Sequence, residues 1–126
     1  MSQDPFNRAA FRQQSLRGVV CLSITGEIDL SNATDLSAQL QAAAESDGRG
    51  VILDLRELRY IDSSGIKVLV KAHLDARGAG GQIVLAAATA NVQRLLTITG
   101  LDRLMPMFPT IEEALNSISP DRSTST

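Results

Sequence analysis

"VILDLRELRYIDSSGIKVLV", residues 51–70, changes its period midway. Its first five residues form an almost unbroken apolar run of strand length, the pattern of a strand covered on both faces, as in a parallel sheet. Further on, Ile66, Leu69, Val70, His73 and Leu74 recur at helical spacing, with Lys67, Lys71 and Asp75 on the opposite, wet face. The stretch therefore predicts a strand over 51–55, a connecting segment "RELRYI" and a helix from about residue 64. Between connector and helix stands Asp62-Ser63-Ser64-Gly65. In an open α/β sheet, functional sites gather outside the C-terminal ends of the strands, which is where this tetrad falls. Asp and Ser are preferred N-cap residues because their oxygens accept from the free N–H groups of the first turn. One cap is enough for a helix, and here three candidates stand in a row. A hydroxyl at the mouth of a helix is also well placed to carry phosphate, since the N–H groups and the helix dipole favour an anion there, although Asp62 opposes it. Capping and phosphate acceptance both follow from the residues.

Working outward, "AAFRQQSLRG" holds a short edge strand turning at Gly18. "VVCLSIT" alternates, with Val20, Leu22 and Ile24 facing one way, and reads as a strand ended by Gly26. "LSNATDLSAQLQAAAES" reads as a helix with Ser31 as N-cap and a stripe of Leu36, Leu40, Ala43 and Ala44, stopped by "SDGRG". After the central helix, ended by "GAGG", come a strand in "QIVLAA" and a helix in "TANVQRLLTITGL" with Val92, Leu95, Leu96 and Thr99 in register. Gly100 followed by Leu101 has the form of a Schellman cap. "MPMF" is a short edge strand, limited by Pro106. Thr110 and Glu113 form a capping box for a last helix striped by Ile111, Leu115 and Ile118. The order β(β)αβαβαβα predicts one α/β domain with a mostly parallel sheet, an antiparallel N-terminal edge strand and about four helices. It runs over residues 9–119, between a flexible start (1–8) and a flexible tail (120–126).

The 126 residues suit a single core, and 44% apolar with 21% charged residues is ordinary for a globular chain. A net charge of -2 and 3% aromatic residues argue against nucleic acid as a direct partner. The one cysteine, Cys21, forms no internal disulfide and fits a reducing cytoplasm. "MSQDPFNRAAFRQQS" lacks the basic-then-apolar form of a signal peptide, and no run is long enough to cross a membrane. One His and one Cys do not make a tight zinc site, and no acidic cluster stands at ligand spacing, so no metal or cofactor is expected. A serine nucleophile is equally unsupported. His73 lies about 15 Å along the helix from Ser63, beyond hydrogen-bond reach, and its place on the apolar stripe predicts a packed, satisfied ring. Ser64-Gly65-Ile66-Lys67 spells S-x-x-K, but the motifs that accompany it in penicillin-interactive enzymes are missing.

"ITGEIDLSNATDL", "VILDLRELRYIDSSGIKVLV" and "GGQIVLAAATANVQRLLTITGLD" together resemble a STAS domain of the anti-sigma factor antagonist type, over about residues 16–118. That resemblance implies partner switching in bacteria. The unphosphorylated antagonist binds an anti-sigma factor that is also an ATP-using serine kinase, which frees the sigma factor. The kinase phosphorylates the serine after the aspartate, here Ser63, and the phosphoprotein lets go; a metal-dependent serine phosphatase resets it. The domain is then a substrate and not an enzyme. The partner-binding surface so implied comprises Asp29, Asp62, Ser63, Ser64, Gly65 and Lys67. Lys67 departs from the small residue common in relatives and also reads as a solvated surface lysine. Glu27 and Asp29 also read as a polar turn. The same domain type occurs in subunits of lipid-transport ATPases and in stress-sensing assemblies. A small serine hydrolase is the remote alternative.

Overall fold

The computed structural model describes residues 8–46 and 50–118. The expected flexible ends and the "SDGRG" helix stop fall largely outside them. In chain order the elements are β1 (Ala9–Leu16), β2 (Val19–Ile28), α1 (Ala33–Ser46), β3 (Val51–Asp54), β4 (Leu58–Ile61), α2 (Ser63–Gly78), β5 (Ile83–Ala86), α3 (Ala90–Ile98), α4 (Leu101–Leu104), β6 (Met107–Phe108) and α5 (Ile111–Ile118). The sheet runs β1-β2-β3-β5-β6, with β4 also paired to β2. Only β1 is antiparallel to its neighbour. The architecture is the α/β sheet that the sequence predicts.

β1 is a full-length strand, not a short one, paired with β2 from Leu16↔Val19 to Ala9↔Gly26. The hairpin closes through Arg17 and Gly18, both at positive φ (52° and 77°), the backbone of a two-residue turn matched to strand twist. β2 does not stop at Gly26. Gly26 has φ +103°, a Cβ there would lie 2.0 Å from the Arg8 carbonyl oxygen, and the β4 register shifts between Gly26 and Glu27. The glycine is thus a bulge that lets the strand continue to Ile28. The last residues of β2 pair with β4, which the sequence reading took for a connector. β4 escapes pattern reading because Leu58 and Ile61 are buried while the adjacent Arg59 and Tyr60 face outward, so period-2 alternation is broken.

Both faces of the sheet are covered. Val20, Leu22, Ile24, Leu53 and Leu85 pack with Leu36, Leu40, Leu69, Val92 and Leu96 of the helices on one side. Val19, Cys21, Ile52 and Val84 pack under Ala114, Leu115 and Ile118 of α5 on the other. Each fully buried aliphatic side chain contributes about 1.5–3 kcal/mol. Thr110 Oγ1 accepts from Glu113 N, as the capping box requires. Several stripe assignments shift at the edges. Ala44, Leu74 and Thr99 are exposed. Thr99 instead turns its hydroxyl back to the Leu95 and Leu96 carbonyls. Gly100, at φ +82°, ends α3 as expected, and the buried Leu101 then opens the extra one-turn helix α4.

His73 is buried at 4% exposure, as its stripe position implies, but its ring is not satisfied. Among the described residues neither ring nitrogen has a hydrogen-bond partner. Burial, with Arg77 adding to it, pushes its pKa below the usual histidine range. The folded state therefore binds fewer protons than the unfolded chain, and stability must fall as pH drops through about 6.5, the unfolded value, towards the lowered folded one. Melting curves taken between pH 8 and pH 5 are expected to show this loss in the wild type and to flatten in His73→Leu. An equal slope in both would place the titrating group elsewhere.

Candidate functional site

α2 begins where β4 ends, and the cap is Asp62. Its Oδ1 accepts from Ser64 N at 2.9 Å and Gly65 N at 3.2 Å. The same oxygen accepts from the Ser64 hydroxyl at 2.5 Å. Ser64, expected to share in capping, braces the cap by donating to it. The Ser64 hydroxyl is the largest influence holding the Asp62 carboxyl below the usual carboxylate range; burial and the Asp29 charge work against it, and the two backbone N–H groups assist. Asp62 is also fixed through its backbone, its N donating to Ile28 O at 3.1 Å and its carbonyl accepting from Ile66 N. Ser63, the first residue of α2, is exposed. Its hydroxyl has no hydrogen-bond partner among the described residues. Of the three cap candidates one caps, one supports it, and one is left free at the helix mouth.

Ile28 and Ile61 are register partners, so the segments that follow them leave the sheet side by side. After Ile28 comes a tight polar turn. Asp29 Oδ1 accepts from Ser31 N and the Ser31 hydroxyl, at 2.9 and 2.6 Å. The Ser31 hydroxyl is the largest cause of a lowered Asp29 pKa, which the Arg8 charge also lowers. Ser31 therefore does not cap α1. Asn32 stands at that position, its carbonyl accepting from Leu36 N. The buried Asn32 side chain locks the turn, donating to Glu27 O and accepting from Asp29 N, both at 2.9 Å. Arg8 pairs with Glu27 and Asp29, and Arg59 reaches Glu27 at 3.9 Å. Asn32, Arg8 and Arg59 were missed in the sequence. Asn32 was findable as an amide in a cap-rich stretch, while the arginines carry no local signal.

The remaining site residues divide. Lys67 is exposed one turn beyond Ser63, on the same side of α2. Gly65 is buried and faces the sheet, so it offers a partner no side-chain surface and acts by letting the helix sit close. The described residues contain no cluster of His, Cys, Asp or Glu able to hold a metal, and no helix among them is long and apolar enough to cross a membrane.

A bulged central strand, a polar turn and a capped helix bearing a free serine define the class, and the comparisons agree. Residues 11–114 match the STAS domain family, and the chain belongs to it. It is 32% identical over 82 residues to the anti-sigma-B factor antagonist of Listeria monocytogenes, covering 65% of this chain and 72% of that protein. It is 29% identical over 105 residues to the anti-sigma-F factor antagonist RsfB of Mycobacterium tuberculosis, covering 83% and 85%. The crystal structure of an anti-sigma factor antagonist from Mycobacterium paratuberculosis superposes with a TM-score of 0.79 at 26% identity, covering 93% of this chain and 98% of that one.

A Cβ on Gly65 would stand 2.6 Å from Ile61 Cγ1 and 2.7 Å from Ile28 Cγ2. The side chains of Ile61 and Ile28 therefore leave no room for a larger residue at this place in the first turn. Gly65→Ala is expected to cost about 1–3 kcal/mol by overpacking, lowering the denaturation midpoint in urea. A midpoint unchanged from wild type would show that α2 shifts outward without strain.

Proposed function

We propose that this protein is an anti-sigma factor antagonist whose binding is switched off by phosphorylation of Ser63. The observation that carries the reading is the division of labour at the α2 N-terminus. Capping is complete without Ser63, whose hydroxyl stands exposed at the helix mouth. The names of the curated relatives supply the regulatory context. In this reading the unphosphorylated form binds an anti-sigma factor serine kinase and displaces the sigma factor. The kinase supplies ATP and the base; Ser63 Oγ attacks the γ-phosphorus, ADP leaves, and the hydroxyl proton passes to the kinase. A serine phosphatase reverses the step. All of this proceeds in the cytoplasm, and the domain itself is substrate, not catalyst. His73, the chain's only histidine, is buried far along α2 and offers Ser63 no base.

Charge accounts for the switch. Phosphate brings about -1.5 to -2 charges at neutral pH. It would be desolvated in the docked interface beside Asp62, already held ionised by its hydrogen bonds. A penalty on the order of 3 kcal/mol weakens binding roughly a hundredfold. Ser63→Ala is expected to fold with a stability loss below about 1 kcal/mol, because Asp62 keeps the cap, and to bind the kinase whether or not ATP is present. Ser63→Asp is expected to fold and to bind roughly tenfold to a hundredfold more weakly, a loss of about 1.4–2.8 kcal/mol. Titration calorimetry of the two variants against the purified kinase, with mass spectrometry of the ATP-treated wild type, decides the matter. Indistinguishable affinities, or phosphate on Ser64, would sink this mechanism.

A further inference from the structure

The turn between β2 and α1 carries a leucine at its tip, and 80% of the Leu30 surface is exposed. Single exposed apolar side chains are ordinary. Leu30 differs in how it is held and where it stands. On one side Asp29, on the other Ser31, are joined across it by two hydrogen bonds to one carboxylate oxygen. Asn32, at 2% exposure, clamps the base of the turn to Glu27 O and to Asp29 N. A leucine presented on so fixed a turn loses little backbone freedom when a partner covers it. Its place follows from the register: Leu30 lies two residues beyond Ile28, and Ser63 lies two residues beyond Ile61, the residue paired with Ile28. Asp29 and Asp62, their immediate neighbours, are close enough for one charge to act on the other.

We propose that Leu30 is the apolar anchor through which the kinase docks on its way to Ser63, the kinase offering a socket of leucine size. This rests on the reading of Ser63 as the phosphate acceptor. A protein that closes over Ser63 covers the adjoining rim and must either bury Leu30 or press polar surface against it. The charges around Leu30 are already matched. Arg8 pairs with Glu27 and Asp29, Arg59 leans on Glu27, and Asp62 is held by the N–H groups of the α2 N-terminus. An apolar socket therefore covers the leucine without stripping water from an unpaired charge. Phosphate on Ser63 ends that balance, which joins the anchor to the switch.

The test compares Leu30→Ala, Leu30→Asp and Ile98→Asp, the last altering an apolar side chain that is 72% exposed at the far end of α3. The probe is a purified anti-sigma factor serine kinase from the same genome, titrated calorimetrically and assayed with ATP. All three variants are expected to melt within a few degrees of wild type. Leu30→Ala is expected to weaken binding about tenfold and Leu30→Asp about a hundredfold, anchor residues being the ones whose truncation is costly. KM for the protein substrate should rise with kcat little changed. Ile98→Asp should behave as wild type. Leu30 variants that bind as wild type does would overturn the anchor and leave the Ser63 reading standing. So would self-association lost in Leu30→Asp with kinase affinity unchanged, which would assign the leucine to a second copy of this chain. A wild type that neither binds the kinase nor is phosphorylated overturns the Ser63 reading, and the anchor with it.

Discussion

The pairing of Ile28 with Ile61 sets the position of everything at the working rim. β2 has ten residues, and β3 pairs with only Val20 to Ser23 of them. The excess length would leave backbone N–H and C=O groups unpaired at the edge of a packed sheet, at a cost of about 1–3 kcal/mol for each buried group. β4 takes up part of that excess. The chain turns out of line after Asp54 and returns beside Gly26 to Ile28. Asp54, nearly buried, stabilises the detour by accepting from Arg56 N and its guanidinium and from the Ser23 hydroxyl. Both segments then leave the sheet from adjoining strands. One becomes the Asp29 turn and the other becomes the head of α2.

Gly65 fixes the direction in which Ser63 points. The helix rests on Ile61 and Ile28 at that glycine, closer than any side chain allows. Two residues of helix correspond to about 200° of rotation. With Gly65 turned to the sheet, Ser63 is turned to solvent and Asp62 stands at the cap. Outward presentation of the serine is thus a packing result, determined by two isoleucines beneath the helix as much as by the polar tetrad. The apparent surplus of capping residues in "DSSG" resolves in the same way. The Asp62 carboxylate faces the first-turn N–H groups, Ser64 lies near enough to donate to it, and Ser63 is carried past both.

How far the chain could be read depends on whether the signal was local. The strand in "VILDL", the hairpin turn at Gly18, the stripe of Leu36 and Leu40 and the Thr110 cap are local matters of spacing and residue type, and each appears in the fold. β4 was hidden because its pairing arises from a bulge thirty-odd residues upstream, which leaves no periodicity of its own. The cap of α1 was placed one residue early because Ser31 and Asn32 are both good caps by type. The Asp29 carboxylate engages Ser31, and the first helical bond of α1 runs from Leu36 N to the Asn32 carbonyl. Gly65 looked like a surface residue because a sequence does not show what lies under a helix. Ser63 was legible as a cap or as a phosphate acceptor, and the geometry of its neighbours shows that the cap is made without it.

The switch proposed at Ser63 needs no mobile part in this rim. Asp29 and Asp62 are held ionised by fixed donors, so their charge is constant across the neutral range. The sheet beneath is packed on both faces, which resists deformation. A charge added at Ser63 therefore finds little freedom in the protein to relax around it, and its effect must appear at whatever surface lies against it. Arg8 and Arg59, the nearby cations that pair in the rim, are already engaged with Glu27 and Asp29. Recruiting either to a phosphate would mean releasing a carboxylate. The arginines that balance the unmodified surface are thus committed, and Lys67, exposed one turn along α2, is among the described residues the cation left on that side to meet an added charge.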